Sequence, residues 1–138
     1  MEKNISELDR LVHEIVAAAR RVQETLGPGF LESIYGKALL AELKSRGLRI
    51  EREKSFKIWY ASQIVGRHVL DLVVEDRVIV EVKVGRGIIP VHGAQVRSYL
   101  QATAYPVGVI VNFGLTELEW DRIAGKAGAA EDAGQNPP

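Results

Sequence analysis

Residues 64–74 and 78–84 are two runs rich in β-branched side chains, separated only by Glu75-Asp76-Arg77. A short polar break between two such runs predicts a β-hairpin, and the rest of the chain must be arranged around it. Side chains alternate along a strand, so Glu81 and Lys83 share one face while Val80, Val82 and Val84 share the other. If residues 75–77 form a three-residue loop, Asp71 stands directly opposite Glu81, with Cβ atoms about 5 Å apart. An even-length loop would turn Asp71 to the wrong face. Two carboxylates that close repel each other, and a hard divalent cation such as Mg²⁺ would relieve the repulsion. Glu-x-Lys on a strand also has an ordinary reading, as charge on a solvent-facing surface. The residues alone leave both readings open.

The segments on either side carry different periods. Between residues 6 and 26, Leu8, Leu11, Val12, Ile15, Val16, Ala19 and Val22 recur at three- and four-residue steps, the stripe of an amphipathic helix. Ser6 followed by Asp9 suits its start, and Gly27-Pro28-Gly29 its end. A second helix fits residues 31–46, with Gly47 at the C-terminal stop. Residues 48–60 read as one broken strand or two short ones, and Ala61-Ser62-Gln63 as a turn. Residues 85–91 form a Gly- and Pro-containing loop, 92–103 a third helix and 107–113 a buried strand. Trp120 and Ile123 suggest a last short strand. The expected order is α-α-β-β-β-β-α-β, a single mixed α/β domain over residues 5–124. A helix crossing between strands 78–84 and 107–113 would make that pair parallel. Residues 125–138 hold nothing to bury and read as a disordered tail.

The chain has 138 residues, enough for one domain with a core and too few for two ordinary ones. Its 18 basic and 18 acidic residues cancel, so the overall charge of a nucleic-acid binder is absent. The distribution is less even. No acid occurs between residues 82 and 116, where Lys83, Arg86, Arg97 and His92 lie, and residues 44–57 form a second basic run. There is no cysteine, which excludes disulfides and thiolate metal sites. The N-terminus lacks the apolar core of a signal peptide, no apolar run approaches membrane-spanning length, and cytoplasmic residence is expected.

Asp71 followed ten residues later by Glu81-Val82-Lys83 resembles the core of PD-(D/E)XK nucleases, with Leu70 where many members have proline. Gln95-Val96-Arg97-Ser98-Tyr99 resembles the Gln-x-x-x-Tyr motif of the RecB-like branch. Gly29-Phe30-Leu31-Glu32-Ser33-Ile34-Tyr35 is similar to the Gly-x-x-Glu-x-x-Tyr signature of a small family in that superfamily, and Asp71 to Val74, Val80 to Lys83, Gln95 to Leu100 and Asn112-Phe113-Gly114 continue its blocks.

The resemblance implies a restriction-endonuclease-like core and a nuclease dependent on Mg²⁺ or Mn²⁺, acting on DNA ahead of RNA. Asp71 and Glu81 would be metal ligands, joined by the Val82 carbonyl and by Glu32 as a third acid. Lys83 would orient the attacking water or stabilise charge on the phosphate, and Gln95 and Tyr99 would contact phosphate or anchor Lys83. Lys83, Arg86, His92, Gln95 and Arg97 would touch nucleic acid. Bland alternatives stand beside these roles: Glu32 as an acid at a helix start, Tyr35 as core, Gly29 as backbone punctuation, His92 as a structural loop end, and Asn112 as a cap on the following turn. Trp59 and Trp120 read as core or dimer contacts. Two other functions compete with the nuclease: an inactive nucleic-acid-binding or regulatory module on the same fold, and a metal-dependent enzyme acting on a smaller phosphorylated substrate. So small a domain is also expected to form a homodimer or join a larger complex.

Overall fold

The computed structural model describes residues 6–126. Helix α1 (Glu7–Leu26) starts where Ser6 Oγ accepts the Asp9 N–H at 3.0 Å, and it ends at Gly27, whose φ of 68° suits glycine. Helix α2 (Glu32–Ser45) stops before Gly47, which has φ 79° and returns its N–H to Lys44 O. Strands β1 (Ile50–Tyr60) and β2 (Gln63–Val74) form a long hairpin, followed by β3 (Val78–Lys83), α3 (Pro90–Thr103), β4 (Val107–Asn112) and β5 (Glu119–Ala124).

Element order is therefore α-α-β-β-β-α-β-β, and the expected fourth strand before α3 does not exist. Residues 48–60 were open to a reading as one broken strand or two short ones. Ile50–Tyr60 form one strand that absorbs Glu53 at φ 52° and shifts register between Ile58 and Trp59. The turn is Ala61-Ser62 alone, with Tyr60 paired to Gln63 and Ala61 at φ 53°, so Gln63 belongs to β2. Helix α3 begins at Pro90, two residues earlier than expected from the Gly- and Pro-containing segment before it. Pro90 fits a first helical turn, where its missing N–H costs nothing. Gly125, expected in the tail, still donates its N–H to Pro106 O; residues 127–138 lie outside the described residues.

The sheet order is β1-β2-β3-β4-β5, antiparallel except for β3–β4, which α3 connects in parallel. Helices α1 and α2 cover one face, packing Leu8, Val12, Ile15, Leu39 and Leu43 on Val74, Val80, Val109 and Val111. Helix α3 covers the other, packing Val96 and Leu100 on Val73, Ile79 and Ile110. Both faces of the central strands are thus buried, which is why β3 and β4 are almost continuously apolar.

One irregularity positions the site. Residues two apart on a strand share a face, yet Leu72 packs with the α1–α2 core and Leu70 with the α3 core. Their partners on β1 are Arg52 and Lys54. Between these two rungs lie Glu53, with its left-handed backbone, and Asp71. Here the pleat of the hairpin reverses, and here β2 leaves β3, because the ladder between them ends at Leu72 and Val80.

Candidate active site

The three-residue connection expected at 75–77 is present. Val74 pairs with Val78, Glu75 and Asp76 take φ of 53° and 54°, and Arg77 donates its N–H to Val74 O at 3.0 Å. The register carries Asp71 to the level of Glu81. Since the backbone ladder has stopped, the Val82 N–H takes another acceptor, Asp71 Oδ2 at 2.9 Å. A buried amide needs a partner, and this bond fixes the Asp71 carboxylate at the fork between the strands.

Glu81 is the most strained group of the site. Only 6% of it is exposed, and its Oε1 has no hydrogen-bond partner. Burial first, and the adjacent Asp71 charge second, push its carboxyl up to about 8, with Lys83 partly opposing them. Glu32, at the first position of α2, is also raised, by burial and by Asp71, and is lowered by Lys83. The Tyr99 hydroxyl is raised by burial and then by Glu81 and Asp71. These mutual influences bring five residues named from the sequence into one neighbourhood: Asp71, Glu81, Lys83, Glu32 and Tyr99. Glu32, Lys37, Arg52, Glu53, Asp71 and Val82 line a recess beside it.

Among the described residues, no three Asp, Glu, His or Cys side chains are grouped closely enough to hold one ion. The pair Asp71 and Glu81 is nevertheless a donor set suited to a hard divalent cation, which takes one or two carboxylates and keeps waters. The unpartnered, buried Glu81 Oε1 beside a second carboxylate is what such an ion would satisfy. Asp71, Glu81 and the Val82 carbonyl would hold it, with Glu32 further out.

Other candidates lie elsewhere. Gln95 is solvent-exposed, one turn ahead of Tyr99 on the same side of α3. His92 Nδ1 accepts the Ile89 N–H at 3.2 Å and so closes the first turn of α3. The Arg97 guanidinium lies over Gly93, near Ile123 of β5; two residues from Tyr99, it faces away from the acids. Arg86 is exposed in the loop after β3. The basic run at 44–57 is largely neutralised: Arg46 pairs with Glu14 and Glu42, Arg49 with Glu75, Arg52 with Glu53, and Lys54 with Glu51 and Asp76.

The two remaining motif blocks are structural. Tyr35 is fully buried, donates its hydroxyl hydrogen to Gly27 O and accepts the Phe30 N–H at 3.2 Å, so it ties down the loop that presents Glu32. Asn112, also fully buried, accepts the Gly85 N–H at 2.9 Å and the Gly114 N–H at 3.0 Å, and donates to Gly85 O. It also donates to Glu119 Oε1, which accepts the Ile88 N–H at 2.7 Å. This clamp holds the chain just beyond Lys83. Sequence reasoning cast Asn112 only as a turn cap and missed Glu119, whose acceptors matter through a partner 31 residues away.

The PD-(D/E)XK nuclease superfamily profile matches residues 9–123. The chain belongs to the PD-(D/E)XK nuclease superfamily. Its mixed sheet is consistent with the restriction-endonuclease-like fold of that superfamily, and membership makes nuclease chemistry on nucleic acid the expected activity. The crystal structure of SSO0001 superposes with a TM-score of 0.56 at 17% identity, over 98% of this chain and 73% of that one, a likeness of fold. No curated protein matches. Among the described residues, no helix of this PD-(D/E)XK protein is long and apolar enough to cross a membrane.

Proposed function

We propose that this chain is a divalent-metal-dependent nuclease that hydrolyses phosphodiesters of DNA ahead of RNA, at Asp71, Glu81 and Lys83. The blocks Gly29 to Tyr35 and Gln95 to Tyr99 support placing it in the Gly-x-x-Glu-x-x-Tyr group of the RecB-like branch, with cytoplasmic residence and self-association or a larger complex. One observation carries the reading: a buried Glu81 with an unpartnered oxygen beside Asp71, and Lys83 next along the same strand face. Without a cation, burial and the Asp71 charge favour a protonated Glu81; a divalent ion would take the place of that proton.

When bound, Mg²⁺ or Mn²⁺ supplies Lewis-acid stabilisation of the phosphoryl oxygens and acidifies water. The chain's own groups do the rest. In hydrolysis, water oxygen bonds to phosphorus, the opposite P–O ester bond breaks, and the leaving oxygen takes a proton. The Lys83 ammonium donates to a phosphoryl oxygen as charge accumulates there. The Tyr99 hydroxyl, held protonated by burial and then by the neighbouring acids, would be a second donor. Glu32, whose carboxyl is raised by burial and by Asp71, would accept the proton that water gives up.

Labelled single- and double-stranded DNA and RNA, incubated with Mg²⁺ or Mn²⁺, test the reading. Wild type cleaves, while Lys83→Ala loses about 100-fold or more in rate with little change in nucleic-acid binding. If neither protein cleaves any substrate with either metal while both bind, the chain is a binding module. Equal cleavage by both removes Lys83 from the mechanism.

A further inference from the structure

Strand β3 spans only six residues, whereas β2 spans twelve and pairs with β3 no further than Leu72. Beyond the pleat reversal the β1–β2 hairpin therefore runs clear of the sheet as a two-stranded arm. One face of the arm is covered, since Phe56 and His68 pack against Tyr99 of α3. By strand alternation the opposite face displays two rungs, Ser55 with Val69 and Lys57 with Arg67, and on β1 Trp59 follows Lys57 on that face; its partner across the register shift is Ile64. All six residues are exposed.

The second rung is unusual. Lys57 and Arg67 are direct cross-strand partners, and like charges so placed destabilise a hairpin. Four cations earlier in the same basic run have carboxylates within ion-pair distance. Neither Lys57 nor Arg67 has such a partner among the described residues. Beside them Trp59 is 59% exposed. Paired cations flanked by an open indole are the chemistry of a surface that holds phosphates and stacks a base. Arg67 lies four residues along β2 from Asp71, ~13 Å at strand rise, and a chain that reaches it from the acid pair would pass the fork where β2 leaves β3.

We infer that this face of the arm binds a single-stranded stretch of the substrate nucleic acid, with Lys57 and Arg67 on its phosphates and Trp59 against a base. The assignment rests on the nuclease reading for its substrate, though not for its geometry. A second copy docked face to face would bring two such cation pairs together, since a twofold interface sets a patch against itself; charge therefore favours the polyanion. Duplex is the weaker occupant because its bases are not free to stack on Trp59.

The test is a salt titration of binding in EDTA, with fluorescein-labelled single-stranded and duplex oligonucleotides, as DNA and as RNA. The proteins are wild type, Lys57→Ser with Arg67→Ser, Trp59→Ser and Lys83→Ala. Wild type prefers the single strand. The double variant binds more weakly, and its slope of log K against log salt is shallower by about 1.4, two contacts at ~0.7 each. Trp59→Ser weakens binding with its slope unchanged, and the DNA and RNA arms decide the sugar. The arm variants melt no lower than wild type, because the substituted positions are exposed and the double variant loses a like-charge pair. The inference is overturned if wild type binds no oligonucleotide, if it prefers duplex, or if the double variant keeps wild-type affinity and slope. It is also overturned if the arm variants change only the sedimentation of the protein, which would make the arm a contact between chains. Arm-dependent binding without cleavage under any metal sinks the nuclease reading alone; cleavage by wild type with arm variants that bind normally sinks the arm alone.

Discussion

Tyr35 and Phe113 lie face to face, ring centroids 4.8 Å apart and planes within 5° of parallel. The contact joins the loop that presents Glu32 to the segment that follows β4 and clamps the end of β3. Tyr35→Phe keeps the stack and removes the bonds to Gly27 O and Phe30 N. A loss of about 1–3 kcal/mol is expected, read as a lower midpoint in thermal or denaturant melts. An unchanged midpoint would mean that the hydroxyl is not what ties the loop down.

Glu81 gives the metal-free protein a pH signature. Its carboxyl is raised from the ordinary 4.5 to about 8. The folded protein then holds a proton that the unfolded chain has released. Below about 4.5 both states are protonated and this stabilisation is complete; as pH rises through 8 it is lost. Metal-free wild type should therefore lose stability between pH 5 and 8 more steeply than Glu81→Gln, which cannot ionise. Parallel pH profiles of the two proteins would refute the shift.

Divalent metal should reverse that trend. Binding only to the folded state adds about 2.7 kcal/mol when free metal is 100 times its dissociation constant. Melts across a Mg²⁺ or Mn²⁺ titration should rise with the logarithm of concentration in wild type, and stay flat in Asp71→Ala with Glu81→Ala. A rise of the same size in the double variant would place the ion elsewhere.

Gly114 tests the clamp beyond Lys83. A Cβ there would sit 2.2 Å from Gly85 O and 2.5 Å from Gly85 N, backbone atoms that cannot swing aside. Gly114→Ala should cost about 1–3 kcal/mol and lower the cleavage rate by moving the end of β3. Gly85→Ala is the control, because its added methyl meets nothing within 4 Å. Similar melts for the two variants would show that the close approach is not constraining.

The acids were legible in the sequence because a strand's period and a short loop together determine which side chains face each other. Val74 opposite Val78 brings Asp71 level with Glu81 with no tertiary information required. Helix α1 was legible for a similar reason, its apolar stripe and its Ser6 cap both being local. The start of α3 was less so: Pro90 and Val91 read as part of a Gly- and Pro-containing loop, while the helix begins at Pro90 for a backbone reason. The basic run at 44–57 could not be resolved into paired and unpaired cations, because charge in sequence says nothing of partners such as Glu14 and Glu75, which only folding brings near. Asn112 was legible as a cap on the following turn, which its bond from the Gly114 N–H bears out, but its bonds to Gly85 and Glu119 were opaque on the same ground, and the pleat reversal at Glu53 and Asp71 has no compositional mark at all.

The clamp and the acid pair also differ in how soon the growing structure can make them. Asp71 reaches the Val82 N–H across 11 residues of one hairpin, whereas Asn112 reaches Gly85 across 27, after α3 has crossed the sheet. Short loops close with less entropy than long ones. The two carboxylates are thus driven together early, while the group that steadies their strand arrives late. Pulse-labelled hydrogen exchange during refolding should find the Val82 amide protected before that of Gly85, and the reverse order would overturn this sequence of events. Assembly in that order leaves an interval in which the repelling pair is held by a lone hairpin, and a cation available during that interval would act on the rate of folding as well as on the finished protein.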